Sequence, residues 1–145
     1  MKALVQRVTE ATVSVADERV ATIGGGLVVF LGVEPEDNAD DAARLAAKTA
    51  ALRIFADADR PMNRSVVDVD GEVLVVSQFT LAADTSRGNR PGFSAAAAPE
   101  QAERLYEAFV DGLRQHHPRI ATGVFGADMQ VALINDGPVT FLLER

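Results

Sequence analysis

The 145-residue chain contains no cysteine. That absence excludes a disulfide framework, a thiol nucleophile and a thiolate metal site. Histidine is almost as scarce, His116 and His117 being the only two. Two sequence neighbours rarely converge on one metal ion without Asp or Glu at suitable spacing, and a helix C-terminus favours imidazolium through its dipole. Both histidines therefore read as a surface cap at a helix end, and no metal site is expected. No run approaches the roughly 18 apolar residues of a membrane span. The opening "MKALVQRVTEATVSV" alternates like a strand and lacks the apolar core and cleavage site of a signal peptide. These absences suit a reducing cytoplasm, and a cytoplasmic location is expected.

Positive charge is also short, with 14 Lys and Arg against 21 Asp and Glu and a formal net charge of −7. That balance argues against a generic grip on nucleic-acid backbone, and no DNA partner is expected. The bases present gather in "RPMNR" (Arg60, Arg64) and "TSRGNRP" (Arg87, Arg90), with Lys2 and Arg7 near the start. Otherwise the composition is ordinary for a globular chain, 48% hydrophobic and 24% charged. One domain spanning residues 1–145 is expected, long enough to bury its core without a staple.

Residues 2–8 and 11–16 alternate, with Val13 and Val15 set against Thr12 and Ser14, which predicts strands with one solvated face. "ERVATI" continues the pattern to Gly24, Gly25 and Gly26, a turn rather than a phosphate cradle, because no GK[ST] follows. The continuous apolar run at 27–33 predicts a strand buried on both faces. Apolar spacing over 38–55, with Asp37 or Asn38 as cap, predicts an amphipathic helix. Asp70-Gly71 between two apolar runs predicts a hairpin whose second strand, 73–76, is fully buried. Residues 82–98 read as a long loop, and a second helix is expected from Pro99 to near His116. Three strand-like segments follow: "RIATGVF", "MQVALIN" and "PVTFLLE". In "NDGPVT" the Asp136-Gly137 pair marks a chain reversal, stiffened by Pro138 and open to a cis bond. This element order predicts a mixed α/β fold: a twisted, partly barrel-like sheet with two main helices.

No catalytic constellation is apparent along the chain. Ser77 and Thr80 have no base nearby in sequence, and Asp37, Asp40 and Asp41 sit where helix capping explains them. "SQFTL" reads either as the frayed end of a buried strand or as a site. In the second reading Ser77 and Gln78 supply donors, Phe79 a stacking face, and main-chain amides an oxyanion cradle.

Five segments, "MKALVQRVTEATVSV", "VVSQFTL", "RGNRPGF", "FGADMQV" and "NDGPVTF", stand in the order and at the separations of one family. Together they resemble the D-aminoacyl-tRNA deacylases, once called D-tyrosyl-tRNA deacylases, over essentially the whole chain. The resemblance implies a homodimeric editing enzyme with the deacylase fold, acting on the aminoacyl-tRNA 3′ end without a cofactor. It implies that Ser77, Gln78, Phe79, Thr80 and Leu81 line a pocket for the terminal adenosine and its amino acid. It further implies that Gly137 and Pro138 form a cis pair reaching into the partner's pocket, where they exclude L side chains and pass D-aminoacyl and glycyl esters. Arg7 would support that segment, and the 2′-hydroxyl of the RNA, with Thr80 no essential nucleophile, would assist catalysis. The chain departs from the usual pattern at Ala82 and Ala83, Arg87 and Gly92. On the residues alone, two other readings stay open: an RNA-end-binding module without turnover, and a metal-dependent ester hydrolase using His116 or His117.

Overall fold

The computed structural model describes residues 1–145. The elements run β1 (Lys2–Val15), β2 (Glu18–Ile23), β3 (Gly26–Gly32), α1 (Ala39–Ala51), β4 (Glu72–Ser77), α2 (Pro99–His116), β5 (Ile120–Thr122) and β6 (Gln130–Glu144). A 3-10 turn, Phe79–Ala82, follows β4. The strands form one mixed sheet in the order β2-β1-β3-β4-β5, with β6 paired to β1. The first half of the long β1 pairs with β3 and its second half with β2, while β6 runs antiparallel to it along most of its length. A strand serving so many partners must twist, and the sheet curls into a nearly closed barrel-like form. The expected mixed α/β architecture with two main helices is the observed one.

The sheet buries a core on each face. Alternate residues of β3 and β4 divide between them: Leu27, Val29, Leu31, Val73 and Val75 face the helices, while Val28, Leu74 and Val76 face the interior of the curl. The unbroken apolar runs of these two strands follow from that double burial. β1 serves both cores as well, through Ala3 and Val5 on the helix side and Val8, Ala11 and Val13 on the inner side. Register shifts between Gln6 and Val8 and between Val8 and Glu10 change its phase. The helices cover the sheet with Leu45 of α1 and Phe109 and Leu113 of α2, all inaccessible to solvent. Truncating Phe109 to alanine would cost about 3–5 kcal/mol.

Asn38 caps α1, its side chain accepting from the amides of Asp40 and Asp41 while Asp41 returns the bond in a capping box. Asp37 points instead to the Met1 amine, 2.5 Å away. The helix ends at Ala51, short of residue 55: Leu52 turns extended with its N–H on Thr49 O, and Arg7 Nη1 then takes the Ile54 carbonyl at 2.5 Å.

Three local expectations are corrected. Asp70-Gly71 does not join a hairpin, because β4 lies parallel between β3 and β5. Residues 66–70 coil in turns instead, held by Asp68 accepting from the Ser65 amide and hydroxyl. Gly26 belongs to the first residues of β3 rather than to a free turn: a Cβ there would lie 1.8 Å from the Glu72 carbonyl oxygen, so only glycine permits this approach of β3 to β4. Finally, "NDGPVT" does not reverse the chain. β6 pairs with β1 on both sides of it, Asn135 opposite Val8 and Thr140 opposite Gln6, so Asp136, Gly137, Pro138 and Val139 bulge out opposite Arg7 alone.

The histidine reading is corrected in half. His116 is exposed, but His117 is 4% exposed, with Nε2 2.5 Å from the Gly71 carbonyl. The turn before β4 thus supplies a polar partner under the end of α2, and the ring is buried against it. No helix is long and apolar enough to cross a membrane.

Candidate active site

β4 is buried on both faces until Ser77, where the sheet ends and the chain must turn. Gln78 closes the ladder by donating its amide to Leu31 O at 2.7 Å, and the 3-10 turn begins at Phe79. The turn is held against the sheet at Gly32, where a Cβ would come within 2.9 Å of Leu81 Cβ. Beside it opens a cavity of about 530 Å³, lined mainly by apolar side chains. Ser77, Gln78 and Phe79 line this cavity; Thr80 and Leu81 do not. The tight 3-10 turn carries Thr80 outward to an exposed position and Leu81 back toward Gly32. The Thr80 hydroxyl accepts from Gln78 Nε2 at 2.5 Å. An amide cannot take up a proton from a hydroxyl at neutral pH, so this contact orients Thr80 without activating it.

The far walls come from segments to which sequence reasoning assigned no site role. Phe93 packs edge-on to Phe79, ring centroids 5.2 Å apart, and both rings are about half exposed at the mouth. Phe125, Gly126 and Met129, from the connection between β5 and β6, form another wall, and Asp128 is the only carboxylate among the lining residues. Phe93 lies in "RGNRPGF" and the others in "FGADMQV", so the signal was present as family motif without a function attached.

Tyr106 of α2 forms the floor. Its hydroxyl donates to Val75 O at 3.0 Å, its ring lies tilted against Phe125 at 5.9 Å, and burial pushes the phenol up to about 12. The Val75 carbonyl also accepts from the Gly123 amide at 2.9 Å. One carbonyl thereby fixes the helix, β4 and the start of the β5–β6 connection relative to one another. No group of three or more His, Asp or Glu side chains is placed to hold a metal ion.

Gly137 and Pro138 lie elsewhere, exposed on the β6 bulge and outside the lining of this cavity. The bond between them is cis. Arg7 sits beneath the bulge, with Nε 2.9 Å from Asp136 Oδ2, an ion pair without hydrogen-bond alignment, and its guanidinium 6.0 Å from the centre of the Phe55 ring. Asn135 ties the bulge from within, its Nδ2 donating to Arg7 O at 3.0 Å and to Val139 O at 3.1 Å. The tip is thus anchored at both ends while its outer surface stays free.

Comparison with known proteins places this geometry. Residues 4–144 match the family model described as D-Tyr-tRNA(Tyr) deacylase. A D-aminoacyl-tRNA deacylase of Syntrophotalea carbinolica is 60% identical over 144 residues, covering 99% of this chain and 97% of that protein. A solved structure titled c-Myc DNA Unwinding Element Binding Protein superposes with a TM-score of 0.94 at 44% identity, covering 100% of this chain and 99% of that one. Another, titled as a probable eukaryotic D-amino acid tRNA deacylase, shares the fold with a TM-score of 0.84 at 16% identity, covering 98% and 97%. The chain belongs to the D-Tyr-tRNA(Tyr) deacylase family.

Proposed function

We propose that the protein hydrolyses the ester bond of D-aminoacyl-tRNA, and of glycyl-tRNA, while sparing L-aminoacyl-tRNA. The observation that carries this reading is the full-length match to the deacylase family, with a half-open apolar cavity edged by exposed aromatics at the end of β4. Phe79 and Phe93 offer stacking faces to an unpaired base, and the depth of the cavity accommodates an apolar amino-acid side chain.

In this mechanism water attacks the ester carbonyl carbon with the 2′-hydroxyl of the terminal ribose assisting, and the acyl C–O bond to the 3′-oxygen breaks, releasing the free amino acid and a protonated 3′-hydroxyl on the tRNA. The protein supplies orientation through Ser77 and Gln78, and the main-chain amides of Phe79 and Thr80 for the developing oxyanion, the Gln78 amide being held by Leu31 O. Thr80 acts as a hydrogen-bonded wall of that turn, not as a nucleophile. The only hydrogen-bond partner of its hydroxyl, an amide, supports this assignment.

Chiral selection is assigned to Gly137 and Pro138. Main-chain carbonyls have no rotamers to swing aside, so a rigid segment that crowds the L side-chain position rejects it strongly, while a D side chain or a bare hydrogen is admitted. Because this pair lies outside its own chain's cavity, the filter requires a second copy, and the working unit in this reading is a homodimer. Ile134 and Leu142, 54% and 50% exposed on β6, give such a contact apolar area. Arg7 and Asn135 are the supports that hold the filter in place. Action on aminoacyl-tRNA places the enzyme in the cytoplasm, where translation occurs.

The test is deacylation of one tRNA charged with the D or the L form of the same amino acid. Preferential release of the D form supports the proposal. Binding of charged tRNA without turnover would favour the binding-module reading instead.

A further inference from the structure

Residues 84–92 form a closed excursion beside the cavity. Asp84 and Gly92 exchange backbone hydrogen bonds at its base, of 2.8 and 2.9 Å. Phe93 follows at once and packs edge-on to Phe79 at the cavity mouth. Arg87 and Arg90 stand exposed on this excursion. Its one acid, Asp84, is exposed and engaged at the base of the excursion: the carboxylate accepts from the Ser86 amide at 2.9 Å, bonding to Ser86 holds it below the usual carboxylate range, and it pairs with neither arginine. Neither guanidinium has a carboxylate partner, whereas Arg7, Arg114 and Arg119 are each paired with an acid.

The other arginines flagged by the sequence are placed differently. Arg60 and Arg64 belong to the segment bridged to Phe55, which contributes nothing to the cavity lining, and Arg64 donates to the Asp68 carbonyl. On the opposite side of Tyr106, α2 presents Glu103, Glu107 and Asp111 along a second groove, against the single base Arg114. A polyanion reaching the cavity is therefore repelled along α2 and attracted over the 84–92 excursion. Arg90 is three residues from Phe93, so their Cα atoms are at most about 11 Å apart. A guanidinium binds phosphate through a planar fork of donors and stays charged at any working pH.

We propose that Arg87 and Arg90 form a phosphate-binding site for the single-stranded RNA backbone leading into the cavity. The inference rests on the reading of the cavity as the seat of an aminoacylated RNA 3′ end. It resolves a tension in the composition: a chain of net charge −7 admits RNA where two uncompensated cations flank the mouth.

The experiment compares the wild type with the R87A/R90A double variant on D-aminoacyl-tRNA and on a phosphate-free D-aminoacyl ester of adenosine, across a salt series. On tRNA the variant is expected to raise KM with kcat little changed. Two lost single-strand phosphate contacts lower the slope of log(kcat/KM) against log salt by about 1.4, so between ~50 and ~200 mM salt the wild type loses roughly sevenfold more activity than the variant. On the phosphate-free ester the two proteins should agree within about twofold, and the R87K/R90K pair should restore most of the slope. An unchanged slope and KM on tRNA, or an equal loss on the phosphate-free ester, overturns the phosphate site while leaving the cavity's reading in place. No turnover of either substrate by the wild type overturns both.

Discussion

Replacing Gly137 by alanine sets the bulge against its own anchor. The added Cβ would fall 2.5 Å from Asn135 Oδ1, and reaching the 3.4 Å of ordinary contact requires a displacement of about 0.9 Å. Two responses are open. Asn135 can swing away, which sacrifices its bonds to the carbonyls of Arg7 and Val139; at about 0.5–1.5 kcal/mol each, the loss is ~1–3 kcal/mol. Alternatively the bulge backbone moves and carries the Gly137 and Pro138 carbonyls with it. A misplacement of that size can change a rate by about 100-fold, and here it should appear as faster hydrolysis of the L ester, narrowing the D-over-L ratio by roughly 10- to 100-fold. The assay is single-turnover deacylation of matched D- and L-charged tRNA, run beside thermal unfolding, where the destabilisation should lower Tm by about 2–4 °C per kcal/mol. N135A in the Gly137→Ala background removes the colliding atom and separates the responses: regained selectivity assigns the defect to the clash. A variant with unchanged Tm and unchanged D-over-L ratio would refute the reasoning.

Thr80→Ala should retain substantial deacylation, since the hydroxyl meets only the Gln78 amide; a variant that binds charged tRNA normally but does not turn it over would restore Thr80 as nucleophile. Tyr106→Phe leaves the Val75 carbonyl with only the Gly123 amide, and should cost about 1 kcal/mol in denaturant unfolding. Because burial raises the Tyr106 phenol from 10.0 to about 12, the fold holds this proton more tightly than the unfolded chain does. Stability therefore falls as pH rises from about 10 through about 12, and a Tyr106→Phe variant with the same alkaline slope would contradict this. Glu72 is held below its usual 4.5 chiefly by the Gly24 amide, with Arg119 adding to the effect. Its contribution is complete above that value and lost as pH falls through the lower folded one, so Glu72→Gln should flatten the acid limb of a stability–pH curve; an unaltered limb would count against it.

The sequence was most informative where one physical cause acted alone. The unbroken apolar runs of β3 and β4 announce strands buried on both faces, and the apolar spacing of α1 and α2 marks the helix faces that cover the sheet. It failed where a local signal serves two geometries. Asp-Gly favours the same positive φ whether the chain reverses or merely coils, and Asp70, at φ 50, does the latter. Asp136-Gly137-Pro138 breaks a strand pattern equally well as a turn or as a bulge, and only the pairing of β6 with β1 on both sides decides it. His117 looked like a surface cap because nothing near it in sequence reveals the Gly71 carbonyl waiting beneath. The candidate site was legible at Ser77, Gln78 and Phe79. Of its opposite walls, Phe125 and Met129 arrive through the parallel pairing of β5 with β4 and Phe93 through the antiparallel bridge of Asp84 and Gly92, neither of which a local period encodes.

The central claim is that this chain distinguishes the configuration of an amino acid esterified to tRNA. One tRNA species charged in turn with D-amino acid, glycine and L-amino acid, mixed with the unmodified protein and followed by initial rates of ester loss, tests it most directly. Rapid loss of the D-aminoacyl and glycyl esters is expected, with the L ester at its spontaneous rate. Equal rates on D and L, or a glycyl ester spared along with the L form, would contradict it.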